Sequence, residues 1–286
     1  MNLHSLLAPL FGGGRSPKIN VWKRFKPLGE GIAGTMSRFY KVRDSESGEI
    51  VGLKLPETAK LAPVEARFKG LNKPSEGEIS SRMLGDHVVT THEFGRTHDG
   101  GQFLVQEFLE GSLLHFRLKR GEPLTAAERL AIVRQAAQGL AVVHEAGFVH
   151  RDVCPRNLML GPDGRVTLFD FGLAVPDTPA FLRPGNRTGT PNYMAPEVIR
   201  RRQASRRLDI FSFGVTAYEI CCGLLPWPGG NARAALAHDS PPPDLRERAG
   251  DIPDPLADAI MDCLRAEPEE RPESPQVFLG RIARLK

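Results

Sequence analysis

Cysteine is scarce in this chain. Four residues (Cys154, Cys221, Cys222 and Cys263) in 286 are too few and too irregular for a disulfide framework. No C-x-x-C pair suggests zinc, so the thiols read as those of a reducing, cytoplasmic compartment. Excess charge is also missing. Lys+Arg 38 against Asp+Glu 34 leaves +4, without the concentrated basic face that nucleic-acid binding needs. A membrane-spanning run is absent too, since the longest apolar stretch, Ile210 to Pro228, carries Glu219 in its middle and Gly and Pro at its end. Met1 to Phe11 is mildly apolar but has neither a basic start nor a small-residue cleavage site, so residues 1–21 are expected to form a flexible leader passing through Gly12-Gly13-Gly14. No internal repeat or low-complexity block interrupts the rest. With 41% hydrophobic and 25% charged residues, the composition is that of an ordinary globular protein long enough for two small lobes.

Two halves differ in texture. From Val21 to about Phe108 the pattern alternates as strands do, predicting strands over Trp22–Leu28, Thr35–Val42, Glu49–Leu55, His92–Arg96 and Gln102–Phe108. Turns are explicit at Asp44–Gly48 and His98-Asp99-Gly100-Gly101. Pro74 to Leu84 is the one helix expected there. After Gly111 the chain turns helical. Thr125-Ala126-Ala127-Glu128 is a capping box, followed by Leu130, Val133, Ala137, Leu140 and His144 at helical spacing and by the stop signal Gly147. Helices are also expected over Asp209–Cys222, Leu256–Arg265 and Pro275–Arg284. A β-rich half, a short apolar strand at 104–109 and a helical half suggest an α+β, bilobal enzyme.

Gly29-Glu30-Gly31-Ile32-Ala33-Gly34 has G-x-G-x-x-G spacing, and Met36 to Val42 alternates as a strand, so the loop joins strand to strand rather than strand to helix. A flap laid over phosphates has this arrangement, and so does a plain glycine hairpin. Val51-Gly52-Leu53-Lys54 follows with a lysine among apolar neighbours. Further on come His150-Arg151-Asp152-Val153-Cys154-Pro155-Arg156-Asn157, then Asp170-Phe171-Gly172, Gly189-Thr190-Pro191 and Ala195-Pro196-Glu197. These motifs in this order resemble the protein kinase family, from about Trp22 to Leu285, and look like a bacterial kinase of the eukaryotic type.

The resemblance implies a kinase domain over 22–286, with a first lobe of about 22–108 and a second of about 109–286. It implies ATP with Mg²⁺, or Mn²⁺ in its place, and protein substrates. Asp152 is then the group that takes or orients the substrate hydroxyl proton, Asn157 and Asp170 hold the metal, and Lys54 grips the α/β phosphates. Gly29, Gly31 and Gly34 cover the nucleotide. Leu28, Met36 and Leu109 sandwich adenine, with hydrogen bonds from the backbone of Glu107 and Leu109 and with Gln106 as a polar gatekeeper. Lys54 needs a carboxylate partner. Counted at 100° per residue, Glu76 shares the inner helix face with Ile79, Ser80 and Met83, and is preferred to Glu78. Asp209 and Arg271 match buried family positions, the latter as partner of Glu197. His92, His115 and His144 read as structural. Arg200-Arg201-Arg202 with Arg206-Arg207 resembles a basic phosphorylation site at Ser205, but a solvated loop is the preferred reading.

Arg151 precedes the catalytic Asp, and in the family such an Arg pairs with an activation-segment phosphate, for which Thr188 and then Thr178 are the candidates. One residue departs from the pattern. Cys154 stands where serine/threonine kinases place a lysine, which leaves a nucleotide-binding pseudokinase as the alternative to an active enzyme. Arg156 lies four residues beyond Asp152, within reach of the missing charge. A small-molecule phosphotransferase is disfavoured, because Gly189–Glu197 resembles a platform for a peptide.

Overall fold

The structure is a computed structural model and describes residues 18–227 and 241–286. Most of the leader expected over 1–21 lies outside the described residues. The chain divides into two compact units, 18–69 with 90–109, and 70–89 with 110–286.

The first unit is a sheet in the order β1-β6-β7-β5-β4-β2, with β3 paired to β4. Its strands are β1 (Lys18–Ile19), β2 (Phe25–Pro27), β3 (Ile32–Ala33), β4 (Ser37–Asp44), β5 (Ile50–Pro56), β6 (Thr91–Thr97) and β7 (Gln102–Glu107). All its strand pairs are antiparallel except β1 with β6. Phe25, Val42, Leu53, Phe103 and Val105 form its core. The turn between β4 and β5 closes through the Gly48 N–H on Asp44 O at 2.8 Å, with Gly48 at φ +77, where a side chain would be strained. Instead of a strand over Trp22–Leu28, a helical turn α1 (Val21–Arg24) precedes β2, because the Asn20 side chain accepts from the N–H groups of Trp22 and Lys23. A helix α2 (Thr58–Glu65), unexpected from the sequence, follows β5 and carries Pro63 inside it.

The second unit begins with α3 (Glu76–Ser80), which is half the length expected from Pro74–Leu84. Ser75 caps it, and Pro74 cannot extend it backward. After it the chain is stitched to β11 (Val166–Leu168): the Val89 N–H donates to Leu168 O at 3.0 Å and the Leu168 N–H to His87 O at 2.8 Å. A β-carbon on Gly139 would sit 2.4 Å from His87 O, so only glycine permits this approach of α5 (Ala126–Glu145). Around α5 lie β8 (Ser112–Leu113), α4 (Leu114–Lys119), β9 (Phe148–Val149), β10 (Leu158–Leu160), β12 (Val175–Pro176), α6 (Pro196–Ile199) and α7 (Arg207–Cys222), then α8 (Leu245–Arg248), α9 (Asp254–Cys263) and α10 (Pro275–Arg281). The Thr125 capping box forms as read from the sequence. The other expected helices form with shifted ends: α7 starts two residues earlier, α9 runs two residues ahead at each end, and α10 stops three residues sooner. Nearly every side chain of α7 is buried, so it is the central helix of this unit.

Candidate active site

In the first unit the glycine loop joins β2 to β4 through the short strand β3, as its flanking patterns required. A β-carbon on Gly31 would lie 2.2 Å from the Tyr40 ring, so this position has no room for a side chain. The Gly34 N–H donates to Ser37 O at 2.8 Å and closes the turn that delivers Met36. Gly29 meets no such crowding. Leu28 is exposed at the end of β2, and its N–H donates to Lys41 O. Lys54 sits in the central strand β5, opposite Phe39 on β4 and Leu104 on β7, and is buried. Gln106 is buried as well, and its amide donates to Thr91 Oγ1 at 3.1 Å. That bond satisfies a polar side chain in a buried position. The Glu107 N–H is committed to Thr90 O, which leaves the Glu107 carbonyl and the backbone of Leu109 as the groups able to face a base edge.

The second unit holds the loop of residues 150–157. Asp209, wholly buried at the start of α7, accepts from the N–H groups of His150 and Arg151, both at 2.7 Å, and lies 2.9 Å from His144 Nε2. These bonds hold Arg151 at φ +70, a conformation that costs a non-glycine residue about 1–2 kcal/mol. The imidazole of His150 then bridges two loops: Nδ1 accepts from the Asp152 N–H at 3.2 Å, and Nε2 donates to Phe169 O at 3.2 Å. Asp152 is fixed at both carboxylate oxygens. Asn157 Nδ2 donates to Oδ2 at 3.0 Å and to the Asp152 carbonyl at 2.8 Å, while the Thr190 N–H donates to Oδ1 at 2.7 Å.

Asp170, at φ +66, turns its carboxylate toward Gly172, and the Glu76 carboxylate reaches the same glycine. A β-carbon there would lie 3.3 Å from Asp170 Oδ1 and 3.5 Å from Glu76 Oε2. Glu78 points elsewhere, because its carboxylate closes the capping box on the Ser75 N–H at 2.7 Å and on Ser75 Oγ at 2.8 Å. The Asn157 amide nitrogen is spent on Asp152, so Asn157 offers its Oδ1 and Asp170 its carboxylate, both oxygen donors. Such a set suits Mg²⁺, which is held by one or two protein oxygens together with substrate phosphates.

Cys154 is buried against Asp152. Desolvation and that carboxylate push its thiol up to about 12, so it is neutral at physiological pH. Its Sγ lies 3.7 Å from Thr190 Oγ1. The Arg156 side chain is exposed, and its guanidinium makes no hydrogen bond or ion pair among the described residues. Arg151 Nη2 donates to Thr188 Oγ1 and to Asn186 O, whereas Thr178 is exposed and its N–H bonds to Pro176 O. The segment after Thr190 is anchored on α7. Ser212 Oγ donates to Tyr193 O, and the Tyr193 hydroxyl donates to Glu219, with burial raising the pKa of both partners' acidic groups. Arg271 pairs with Glu197 through both nitrogens, at 2.8 and 2.9 Å. Sequence reasoning missed Glu219, whose only signal was a lone acid in an apolar helix, and the role of the Thr190 N–H, a backbone group that carries no residue signature.

Comparison with known proteins matches residues 22–279 to the protein kinase domain family. The chain is 32% identical over 264 residues to the serine/threonine-protein kinase pkn3 of Myxococcus xanthus, covering 87% of this chain and 47% of that relative. It is 32% identical over 245 residues to the serine/threonine-protein kinase PknD of Mycobacterium tuberculosis, covering 83% and 36%. Over 274 residues it is 31% identical to the serine/threonine-protein kinase PkaA of Streptomyces coelicolor, covering 89% and 48%. The chain thus spans less than half the length of each of these three curated relatives.

Proposed function

Because this chain belongs to the protein kinase family, we propose that it transfers the γ-phosphate of Mg-ATP to serine and threonine hydroxyls of proteins, its own among them. The observation that carries this reading is the Asp152 carboxylate, oriented through one oxygen by Asn157 and through the other by the Thr190 N–H of the peptide platform. In this reading the kinase domain occupies 22–286, and the reducing compartment suggested by four free thiols is the cytoplasm.

Asp152 accepts the proton of the substrate hydroxyl as oxygen attacks phosphorus. Asn157 and Asp170 are the ligands for Mg²⁺ (Mn²⁺ suits the same oxygens), which when bound offsets the charge on the transferring phosphoryl group. Lys54 grips the α/β phosphates. Glu76 is its carboxylate partner, since Glu78 is consumed by the cap. Gly29, Gly31 and Gly34 let the backbone approach the phosphates, and Leu28, Met36 and Leu109 hold adenine against the Glu107 and Leu109 backbone. Arg156 supplies the cation that Cys154 lacks. Thr188, already on Arg151, is the autophosphorylation site ahead of Thr178, and its phosphate orders the segment by pairing with that arginine.

The test is incubation with labelled ATP and Mg²⁺, wild type beside Asp170→Ala and Thr188→Ala. Label should appear on the wild type, vanish in Asp170→Ala and fall in Thr188→Ala, with ATP binding intact in the last. A wild type that binds ATP yet labels neither itself nor any test protein overturns the transfer reading in favour of a nucleotide-binding module.

A further inference from the structure

Beside the activation segment, Arg151, Arg183, Arg201 and Arg202 line one pocket over an apolar floor that includes Phe181 and Leu208. Four arginines on one depression concentrate positive charge, and the acids nearby are already committed. Glu197 is held by Arg271, Asp177 by Arg206, and Asp209 by the backbone of the catalytic loop. Among the described residues, Arg183, Arg201 and Arg202 make no ion pair, and all three are exposed. Arg201 closes the end of α6: its N–H bonds to Val198 O, and the Arg202 N–H bonds to Glu197 O. It does so at φ +55, where glycine is the usual occupant, so a long cation is kept at a position that backbone geometry alone would give to glycine.

Resting on the kinase reading, we propose that this pocket is a docking subsite for a phosphate monoester already carried by the incoming polypeptide substrate. A phosphate brings about two negative charges and three acceptor oxygens, which several planar arginine forks can share. One carboxylate would leave most of that positive charge uncompensated. The chain's own Thr188 is a poor occupant for the whole pocket. Its hydroxyl is engaged by Arg151 and by the Asn186 side chain, and it is not among the residues lining the depression. The three outer arginines face solvent, where a second chain can reach them. Arg151 joins the pocket to Asp152, the next residue along the chain, so a peptide with its acceptor at Asp152 has this subsite within its span.

The experiment uses the full chain as Thr188→Ala, which removes the competing phosphate in cis. Fluorescein-labelled peptides with one acceptor threonine carry serine or phosphoserine at each flanking position in turn. Fluorescence anisotropy should show about tenfold tighter binding for at least one phosphorylated register. The gain should rise with pH through about 6, where the phosphate loses its second proton. Arg183→Ala/Arg201→Ala/Arg202→Ala should abolish the preference and leave Mg-ATP binding unchanged, and lysine at the same three positions should restore part of it. The matching kinetic signature is a lower KM for the phosphorylated peptide at similar kcat. Equal binding of parent and phosphorylated peptides, or a preference that survives the triple alanine substitution, overturns the proposal. So does the absence of any peptide preference combined with a phosphate on wild-type Thr188 that becomes phosphatase-sensitive in the triple variant, since the pocket then serves the chain's own phosphate. Binding is read without catalysis. A chain that labels no peptide yet prefers the phosphorylated one contradicts the transfer reading and supports the subsite.

Discussion

Removing Arg156 is the sharpest test of how this catalytic loop works without its lysine. Cys154 is 1% exposed, and its thiol is pushed up to about 12. At pH 7 only about one thiol in 10⁵ is therefore ionised, and the group contributes no cation to the γ-phosphate. If the Arg156 guanidinium supplies that charge, Arg156→Ala removes one preorganised stabilising group from the transition state. The loss expected is about 10²–10³ in kcat, or about 2.7–4 kcal/mol, and solvent at this exposed side chain favours the lower end. Steady-state transfer from labelled ATP to a fixed peptide measures it, with ATP affinity measured separately. Lysine added at position 154 in the Arg156→Ala background should recover much of the rate, because an ammonium there meets the same phosphate. Melting and ATP binding of the double variant check that the buried site accepts the longer side chain. An Arg156→Ala enzyme with full kcat and altered peptide preference refutes the reasoning and makes Arg156 a wall of the substrate groove.

Three other outcomes follow from the same geometry. Glu78→Ala removes a capping box and should cost about 1 kcal/mol in denaturant unfolding while sparing ATP affinity, whereas Glu76→Gln should leave the helix intact and depress phosphoryl transfer. Arg271→Ala strands the buried Glu197 carboxylate and the carbonyls of Arg265, Arg207 and Ala266, and should cost about 3–5 kcal/mol in urea unfolding; a loss under about 1 kcal/mol would show that the pair is solvated. Alkaline pH should destabilise the fold. Burial raises the thiols of Cys154 and Cys221 to about 12 and that of Cys263 also upward, so above about pH 9 the unfolded chain releases protons that the folded one keeps. Each such thiol then removes about 1.4 kcal/mol per pH unit, and urea midpoints at pH 8 and 10, in wild type and Cys221→Ala, measure the slope.

Motif residues were legible because their chemistry demands particular side chains. Asp152, Asn157 and Asp170 stood out through the family resemblance their motifs carry, and the Thr125 capping box fixed the start of α5 to the residue. What escaped was decided by bonds that spacing does not encode. Asn20 turned Val21–Arg24 into a helical turn against an alternating pattern. Ser75 and Glu78 spent themselves on the start of α3, a cap whose letters (Ser-x-x-Glu) were present but were read only as candidates for pairing with Lys54. The arginine run at 200–202 was visible as charge, yet its meaning depended on Arg183 and Arg151, distant in sequence and adjacent only in the folded chain. The segment after Thr190 is anchored by Tyr193 meeting Glu219, a pairing 26 residues apart that no local pattern announces.

The substitution at Cys154 is compatible with an intact catalytic frame because the frame does not pass through that side chain. Asp152 is oriented by Asn157 and Thr190, and Asn157 is itself positioned by its N–H on the Cys154 carbonyl, a group any residue provides. The strain stored at Arg151 and Asp170, both left-handed, is held by contacts elsewhere: Asp209 takes the Arg151 N–H, and the His150 ring ties Asp152 to Phe169, the residue before Asp170. Cys154 adds only a weak sulfur contact to Thr190 at 3.7 Å. A cysteine at this position therefore removes charge while leaving Asp152, Asn157 and Asp170 in place. With that frame in place, the proposed transfer lacks one element, the cation that Arg156 would supply, and the Arg156→Ala variant tests that element alone.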